Sequence, residues 1–173
     1  MTDERISVVK GDITTLVVQA IVNAANEQLS DGAGVNGAIH RAAGPGLAAE
    51  CARLGGCQTG DAKITGGYQL PARHVIHAVG PVWEGGGAGE ADMLAACYHR
   101  ALELAQEFGC KTVAFPAIST GVFGYPKREA AKVAITSVSD WLADNQTIER
   151  VIFCCFDRET AEIYAALLDL GAS

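Results

Sequence analysis

A chain of 173 residues, 49% hydrophobic and 19% charged, has the composition of a globular protein and the length of one domain, enough to bury roughly 70% of its unfolded surface. A formal charge of −7 gives no electrostatic footprint for sequence-independent binding of a nucleic-acid polymer, although backbone N–H groups and helix N-termini can still hold a small anion. The opening Met-Thr-Asp-Glu-Arg lacks a signal pattern and no uncharged apolar run reaches membrane-span length, so a cytoplasmic protein without membrane contact is expected.

Ile6–Lys10 reads as a β-branched strand ending at Gly11-Asp12, and Ala20–Ala24 as a second strand running into Asn26. Residues 32–37, rich in glycine, read as a loop. Pro45 suits the first turn of a helix extending to about Leu54. Residues 61–65 and 74–79 are expected strands, the second broken by Gly80-Pro81, and residues 85–89 a flexible surface loop. Leu94, Tyr98, Ala101, Leu102, Ala105 and Phe108 recur at helical spacing, ahead of a strand at Thr112–Phe115 and a loop at residues 119–124. The next helix carries Ala131, Ala134, Ile135, Val138, Trp141 and Leu142 on one face. Residues 151–156 have the continuous apolar character of a strand buried on both sides, and Ala161, Tyr164, Leu167 and Leu168 mark a terminal amphipathic helix.

Strands alternating with helices predict an α/β fold: a mostly parallel sheet, helices on both faces, and ligands beyond the carboxyl ends of the strands. No internal repeat or linker divides the chain, so residues 1–173 are expected to form one domain. The cysteines at 51, 57, 97, 110, 154 and 155 form no C-x-x-C pair and several lie in apolar runs, which suits reduced, buried thiols.

Gly32-Ala33-Gly34-Val35-Asn36-Gly37 matches G-x-G-x-x-G, whose glycines allow a tight turn and close approach to pyrophosphate. A dinucleotide-binding dehydrogenase is disfavoured, because the motif does not follow its strand at once and position 57 is Cys rather than an acid. Residues 119–124 follow a strand and precede a helix, so their amides can form a second anion nest, or simply a turn. All four histidines precede Ser119, which excludes the residue order of an α/β-hydrolase triad, and no Walker motif occurs. His74 and His77 point to opposite faces of one strand and cannot share a metal, so neither metal nor cofactor is expected.

Several stretches together resemble the macro domain family, in its MacroD-type branch of ADP-ribosyl hydrolases and O-acetyl-ADP-ribose deacetylases. These are Gly11-Asp12-Ile13-Thr14, Ile21-Val22-Asn23-Ala24-Ala25-Asn26, the glycine loop continuing through Gly37-Ala38-Ile39-His40-Arg41-Ala42-Ala43-Gly44-Pro45, Ile76-His77-Ala78-Val79-Gly80-Pro81, and Phe115-Pro116-Ala117-Ile118-Ser119-Thr120-Gly121-Val122-Phe123-Gly124-Tyr125-Pro126. The resemblance implies a three-layer α/β/α sandwich with a mixed, mostly parallel sheet and a cleft for ADP-ribose, O-acetyl-ADP-ribose or a mono-ADP-ribosylated protein. It implies that Asp12 accepts from the adenine amino group and that the Ile13 amide meets a ring nitrogen. Gly34 and Val35 from the first loop, with Ser119, Thr120, Gly121, Val122 and Phe123 from the second, would cradle the diphosphate. Phe123 would also wall the distal ribose, and Asn26 would grip its hydroxyls, while Asn23 is structural. Phe156 is placed either to pack on adenine or within the core.

One position departs from the family. Where the MacroD pattern has an Asp that activates or orients the attacking water, this chain has Asn36, and an amide exchanges hydrogen bonds but takes up no proton near neutral pH. Loss of a general base costs on the order of 10²–10⁴ in rate. Asn26 and Asn36 are the candidate catalytic residues of a slow ribose-ester hydrolase; a non-catalytic ADP-ribose reader and a phosphatase acting on ADP-ribose-1-phosphate are the alternatives. Asp31 reads as a solvated turn residue and His40 as helix packing.

Overall fold

A computed structural model describes residues 3–172. The strands are β1 (Ile6–Lys10), β2 (Ala20–Ala24), β3 (Ala62–Gly66), β4 (His74–Ala78), β5 (Thr112–Phe115) and β6 (Arg150–Cys155). The helices are α1 (Gly34–Ala43), α2 (Pro45–Leu54), α3 (Glu90–Glu107), α4 (Lys127–Ala143) and α5 (Arg158–Ala172), with a short 3-10 turn at Ile13–Thr15.

The strands form one sheet in the order β1-β6-β5-β2-β4-β3. Every pairing is parallel except β3 against β4, which places the antiparallel strand at an edge. Parallel strands buried on both faces need apolar side chains on both, and this is why β2, β5 and β6 read as apolar runs rather than alternating ones. On one face α3, α4 and α5 pack over Ile6, Val22, Ile76, Phe115 and Phe153. There Tyr98, Phe115, Phe153 and Tyr164 form a row of tilted rings with centroids 5.1, 6.1 and 5.0 Å apart, within the range where edge and offset contacts add to burial. On the other face α1 and α2 cover Ile21, Val75, Ala114 and Ile152. The architecture is the expected three-layer α/β/α sandwich. No described helix is long and apolar enough to cross a membrane.

Arg5 ties β1 to the end of α4. Its guanidinium donates to the carbonyl oxygens of Leu142 (2.6 Å) in the last turn of α4 and of Asn145 (2.9 Å) and Ile148 (3.0 Å) in the segment leading to β6. All six cysteines are buried and free. Burial pushes the thiols up, to about 11 for Cys51 and Cys57 and about 12 for Cys97 and Cys155, so they remain protonated at neutral pH.

Three expectations need correction. Residues 32–37 are not all loop, because α1 begins at Gly34. The strand expected through Phe156 ends at Cys155, leaving Phe156 85% exposed and outside the core. Residues 85–89 are the expected surface loop but are not loose: the Glu90 carboxylate, almost fully buried, accepts from the backbone N–H groups of Glu84 (2.9 Å), Gly86 (2.9 Å) and Ala88 (2.7 Å) and gathers the segment around itself. Those amides hold the carboxyl down at about 2, so it stays ionised in this role.

Candidate functional site

The carboxyl ends of β1, β2, β4, β5 and β6 open into one cleft of about 840 Å³. Asp12, Ile13, Asn26, Gly34, Val35, Asn36, Phe156 and the run Ser119 to Phe123 all line it. The ligand-binding and catalytic candidates named from the sequence therefore meet in one place, contributed by segments as far apart as positions 12 and 156. The location is the general one for an open parallel sheet.

The first wall is the N-terminus of α1. Ala33 precedes the helix and makes no side-chain cap bond, and Gly34 adopts φ 61, a left-handed conformation that glycine takes without strain. The opening N–H groups of α1 thus keep their positive potential directed at the cleft rather than spent on a Ser or Asp cap. Gly34, Val35, Ala38 and Arg41 line the cleft together, a spacing that is one face of a helix.

The second wall is the turn after β5. Among the described residues no backbone N–H from Ser119 to Phe123 finds a carbonyl partner, while Gly124 and Tyr125 close the turn onto Gly121 and Ser119. Ser119 has φ 68, a strained conformation for a residue with a side chain, and its buried Oγ has no hydrogen-bond partner. A Cβ on Gly80 would stand 2.2 Å from that Oγ, so only glycine at 80 lets the two loops approach. Trp83 braces the turn from outside: its backbone N–H donates to the Phe123 carbonyl at 2.8 Å, and its ring centroid lies 4.5 Å from that of Tyr125. The segment gathered by Glu90 begins at the next residue, so the brace has its own anchor.

Asp12 sits past β1 with Oδ1 accepting from the Thr14 N–H (2.9 Å) and hydroxyl (2.7 Å), which starts the 3-10 turn. Its Oδ2 has no partner among the described residues, and Asp12 is exposed. Phe156 also lines the cleft and is exposed, and Phe123 is half-buried.

Both candidate catalytic amides converge on one carbonyl. Asn26 accepts from the Ser30 N–H at 3.0 Å and donates through Nδ2 to the Ser30 oxygen at 3.1 Å; Asn36 Nδ2 donates to the same oxygen at 2.9 Å. Asn36 is 6% exposed, and its Oδ1 accepts from Asn23 Nδ2 at 2.9 Å. Asp31 accepts from the Gly32 N–H at 2.8 Å, the solvated turn role expected of it. His40 is buried within α1 with Nε2 unpartnered. His74 and His77 do face opposite sides: His74 meets the Phe108 ring, whereas His77 lies under α1 and α2, bonded to Asn23 and Thr65. Burial lowers the His77 imidazole to about 4, so it is neutral at physiological pH.

Sequence reasoning passed over Arg41, Lys127, Cys154, Asp157 and Thr160, which also line the cleft. Asp157 and Thr160 were legible as a capping pair, since Asp157 Oδ1 accepts from the Thr160 N–H at 2.8 Å where α5 starts. Arg41 carried only a helical-spacing signal. Among the described residues no cluster of His, Cys, Asp and Glu suits a metal.

The Macro domain family model matches residues 22–134. A macro domain-containing protein of Chlorobaculum tepidum is 58% identical over 166 residues, 96% of each chain. The O-acetyl-ADP-ribose deacetylase of Klebsiella pneumoniae is 54% identical over 165 residues, 93% of this chain and 94% of the relative. The ADP-ribose glycohydrolase MACROD2 of Xenopus laevis is 54% identical over 96% of this chain, which spans 40% of that longer protein. Among solved structures, the Oceanobacillus iheyensis macrodomain with ADP superposes with a TM-score of 0.92 at 40% identity, covering 95% of this chain and 90% of the other. The Trypanosoma brucei macrodomain in complex with ADP-ribose gives 0.90 at 42% identity, covering 95% and 69%. With the family model, near full-length relatives and the shared fold in agreement, this chain belongs to the macro domain family.

Proposed function

We propose that this protein binds ADP-ribose in the cleft and hydrolyses esters on its distal ribose, releasing mono-ADP-ribose from acidic side chains or acetate from O-acetyl-ADP-ribose. The observation that carries the reading is the pair of walls: an uncapped helix N-terminus facing a turn whose amides have no internal partners. Together they form a diphosphate cradle that needs no lysine in a chain of net charge −7. In this reading Asp12 Oδ2 takes the adenine amino group, the Ile13 N–H meets a ring nitrogen, and Phe156 stacks on the base. Gly34, Val35 and the Ser119 to Phe123 run hold the diphosphate. Phe123, Asn26 and Asn36 enclose the distal ribose. The relatives named as a deacetylase and a glycohydrolase, and the solved macrodomains holding ADP and ADP-ribose, support it.

A reader without catalysis is the second reading, favoured by Asn36: an amide with both ends bonded inside the fold supplies no general base. One experiment separates the two. Calorimetry with free ADP-ribose should give a micromolar Kd, roughly −8 kcal/mol, alongside turnover of an Asp/Glu-ADP-ribosylated protein and of O-acetyl-ADP-ribose. Binding without turnover of either ester selects the reader, and no saturation at millimolar ADP-ribose discards both readings.

A further inference from the structure

Asn36, Asn23, His77 and Thr65 form a buried chain of hydrogen bonds whose direction is set from the cleft end. At the cleft end, the Asn36 atom 2.9 Å from the Ser30 carbonyl oxygen must be Nδ2, because a carbonyl only accepts. Its Oδ1 is therefore turned inward, toward Asn23 Nδ2 at 2.9 Å. The same Asn23 Nδ2 lies 3.2 Å from His77 Nδ1, which must therefore accept. A neutral His77 then carries its hydrogen on Nε2, where the Thr65 hydroxyl at 3.0 Å accepts it and is free to donate its own to the Gly66 carbonyl at 3.1 Å, with the Cys51 sulfur 3.7 Å from the same nitrogen. Asn23 thus donates twice, and its Oδ1 is left buried without a partner.

Gly32 completes the arrangement. A Cβ at this position would stand 3.0 Å from Asn36 Nδ2 and 3.9 Å from Asn26 Nδ2. With no side chain there, the approach to the second N–H of Asn36 is open to the cleft.

We infer that Asn36 serves the ligand as a hydrogen-bond donor, to an oxygen of the distal ribose or of the acyl group it carries, and that Asn23 and His77 are positioning residues that fix this polarity. The inference rests on the reading of the cleft as an ADP-ribose site. It reverses the sense of the position relative to an acid: a donor grips an oxygen and takes no proton from water.

The test has a structural arm and a ligand arm, both on the full chain. Nitrogen-15 NMR of unliganded wild type should find His77 neutral with its hydrogen on Nε2 from pH 6 to 8; hydrogen on Nδ1 overturns the assigned direction. In calorimetry, Gly32→Ala should weaken ADP-ribose about tenfold, the worth of one hydrogen bond, while ADP, which lacks the distal ribose, changes less than about twofold. Equal loss for both ligands, or for neither, overturns the role of the open N–H. Asn23→Asp, whose carboxylate can only accept, should move the His77 hydrogen to Nδ1, turn the Asn36 oxygen to the cleft and produce the same selective loss. If wild type binds neither ADP nor ADP-ribose, the cleft reading fails and the ligand role of Asn36 with it, whereas the NMR result still decides the direction of the chain by itself.

Discussion

Asn36→Asp separates a missing base from a site that never used one. The new carboxylate would keep the Asn23 N–H, now a charged hydrogen bond, but would set an acceptor against the Ser30 carbonyl in place of a donor at 2.9 Å. Ser30 retains Asn26 Nδ2 at 3.1 Å, so its oxygen is not orphaned. One neutral hydrogen bond is worth about 1 kcal/mol, and burying a carboxylate against a carbonyl adds a similar loss that the Asn23 bond offsets in part. The net destabilisation should be about 1–2 kcal/mol, a fall in Tm of roughly 2–8 °C for a chain of this length. A protonated carboxyl can donate to Ser30, so the folded-state pKa is raised and the loss should be smaller at pH 5 than at pH 8. Affinity for ADP-ribose should drop by about tenfold or more, from loss of the donor and from negative charge near the diphosphate. Single-turnover hydrolysis of O-acetyl-ADP-ribose at pH 8 should nevertheless rise by about tenfold or more, the lower part of what a general base supplies, because the carboxylate is partly engaged by the Asn23 N–H. A folded variant that hydrolyses the ester no faster than wild type between pH 6 and 9 refutes the missing-base argument.

Asp12→Ala should weaken ADP-ribose by about 1.5–3 kcal/mol in calorimetry and cost a little stability, because the same carboxylate starts the 3-10 turn. Phe156→Ala should leave Tm unchanged, its ring being 85% exposed, yet weaken adenine-containing ligands at least several-fold; equal affinity would return Phe156 to the plain surface. Glu90→Gln puts an N–H among the three backbone donors that now converge on a carboxylate, so Tm should fall, and ADP-ribose should bind more weakly while AMP, which ends before the second phosphate, does not. Urea titrations should show acid sensitivity from His77. Unfolded imidazole takes up a proton near pH 6.5 but the folded one only near 4, so stability present at neutral pH is lost as pH falls through that window, by up to about 3 kcal/mol, and His77→Gln should flatten this dependence.

Most of the sheet was legible because its strands carry their own evidence: β-branched or apolar runs closed by glycine or proline. The start of α1 was not legible for a reason tied to function. Helix beginnings are usually announced by Ser, Thr, Asp or Asn, and Ala33 announces nothing, since the open amides are what the site uses. Phe156 resembled a core residue because it continues an apolar strand; only the end of the pairing at Lys10 and Cys155 shows that the chain has left the sheet. The Gly85 to Gly89 stretch looked loose because its organiser, Glu90, reads as an ordinary first-turn acid of a helix. Asn23, His77 and Thr65 lie on separate strands, and nothing local in the sequence signals that their side chains meet.

Asn23 and His77 face each other directly across the parallel β2–β4 pair, and this gives them a second consequence, in assembly rather than chemistry. The neighbouring positions are apolar and nearly interchangeable: Ile21 beside Val75, Val22 beside Ile76, Ala24 beside Ala78. Such strands could pair out of step with little loss of burial. A slip of one residue sends a side chain to the opposite face, which would part the imidazole from the amide and bury each among aliphatic groups, at about 1–3 kcal/mol for every polar group left alone. The one polar pair in an oily seam therefore acts as an index mark, selecting the correct alignment of two strands from several that hydrophobicity alone would accept.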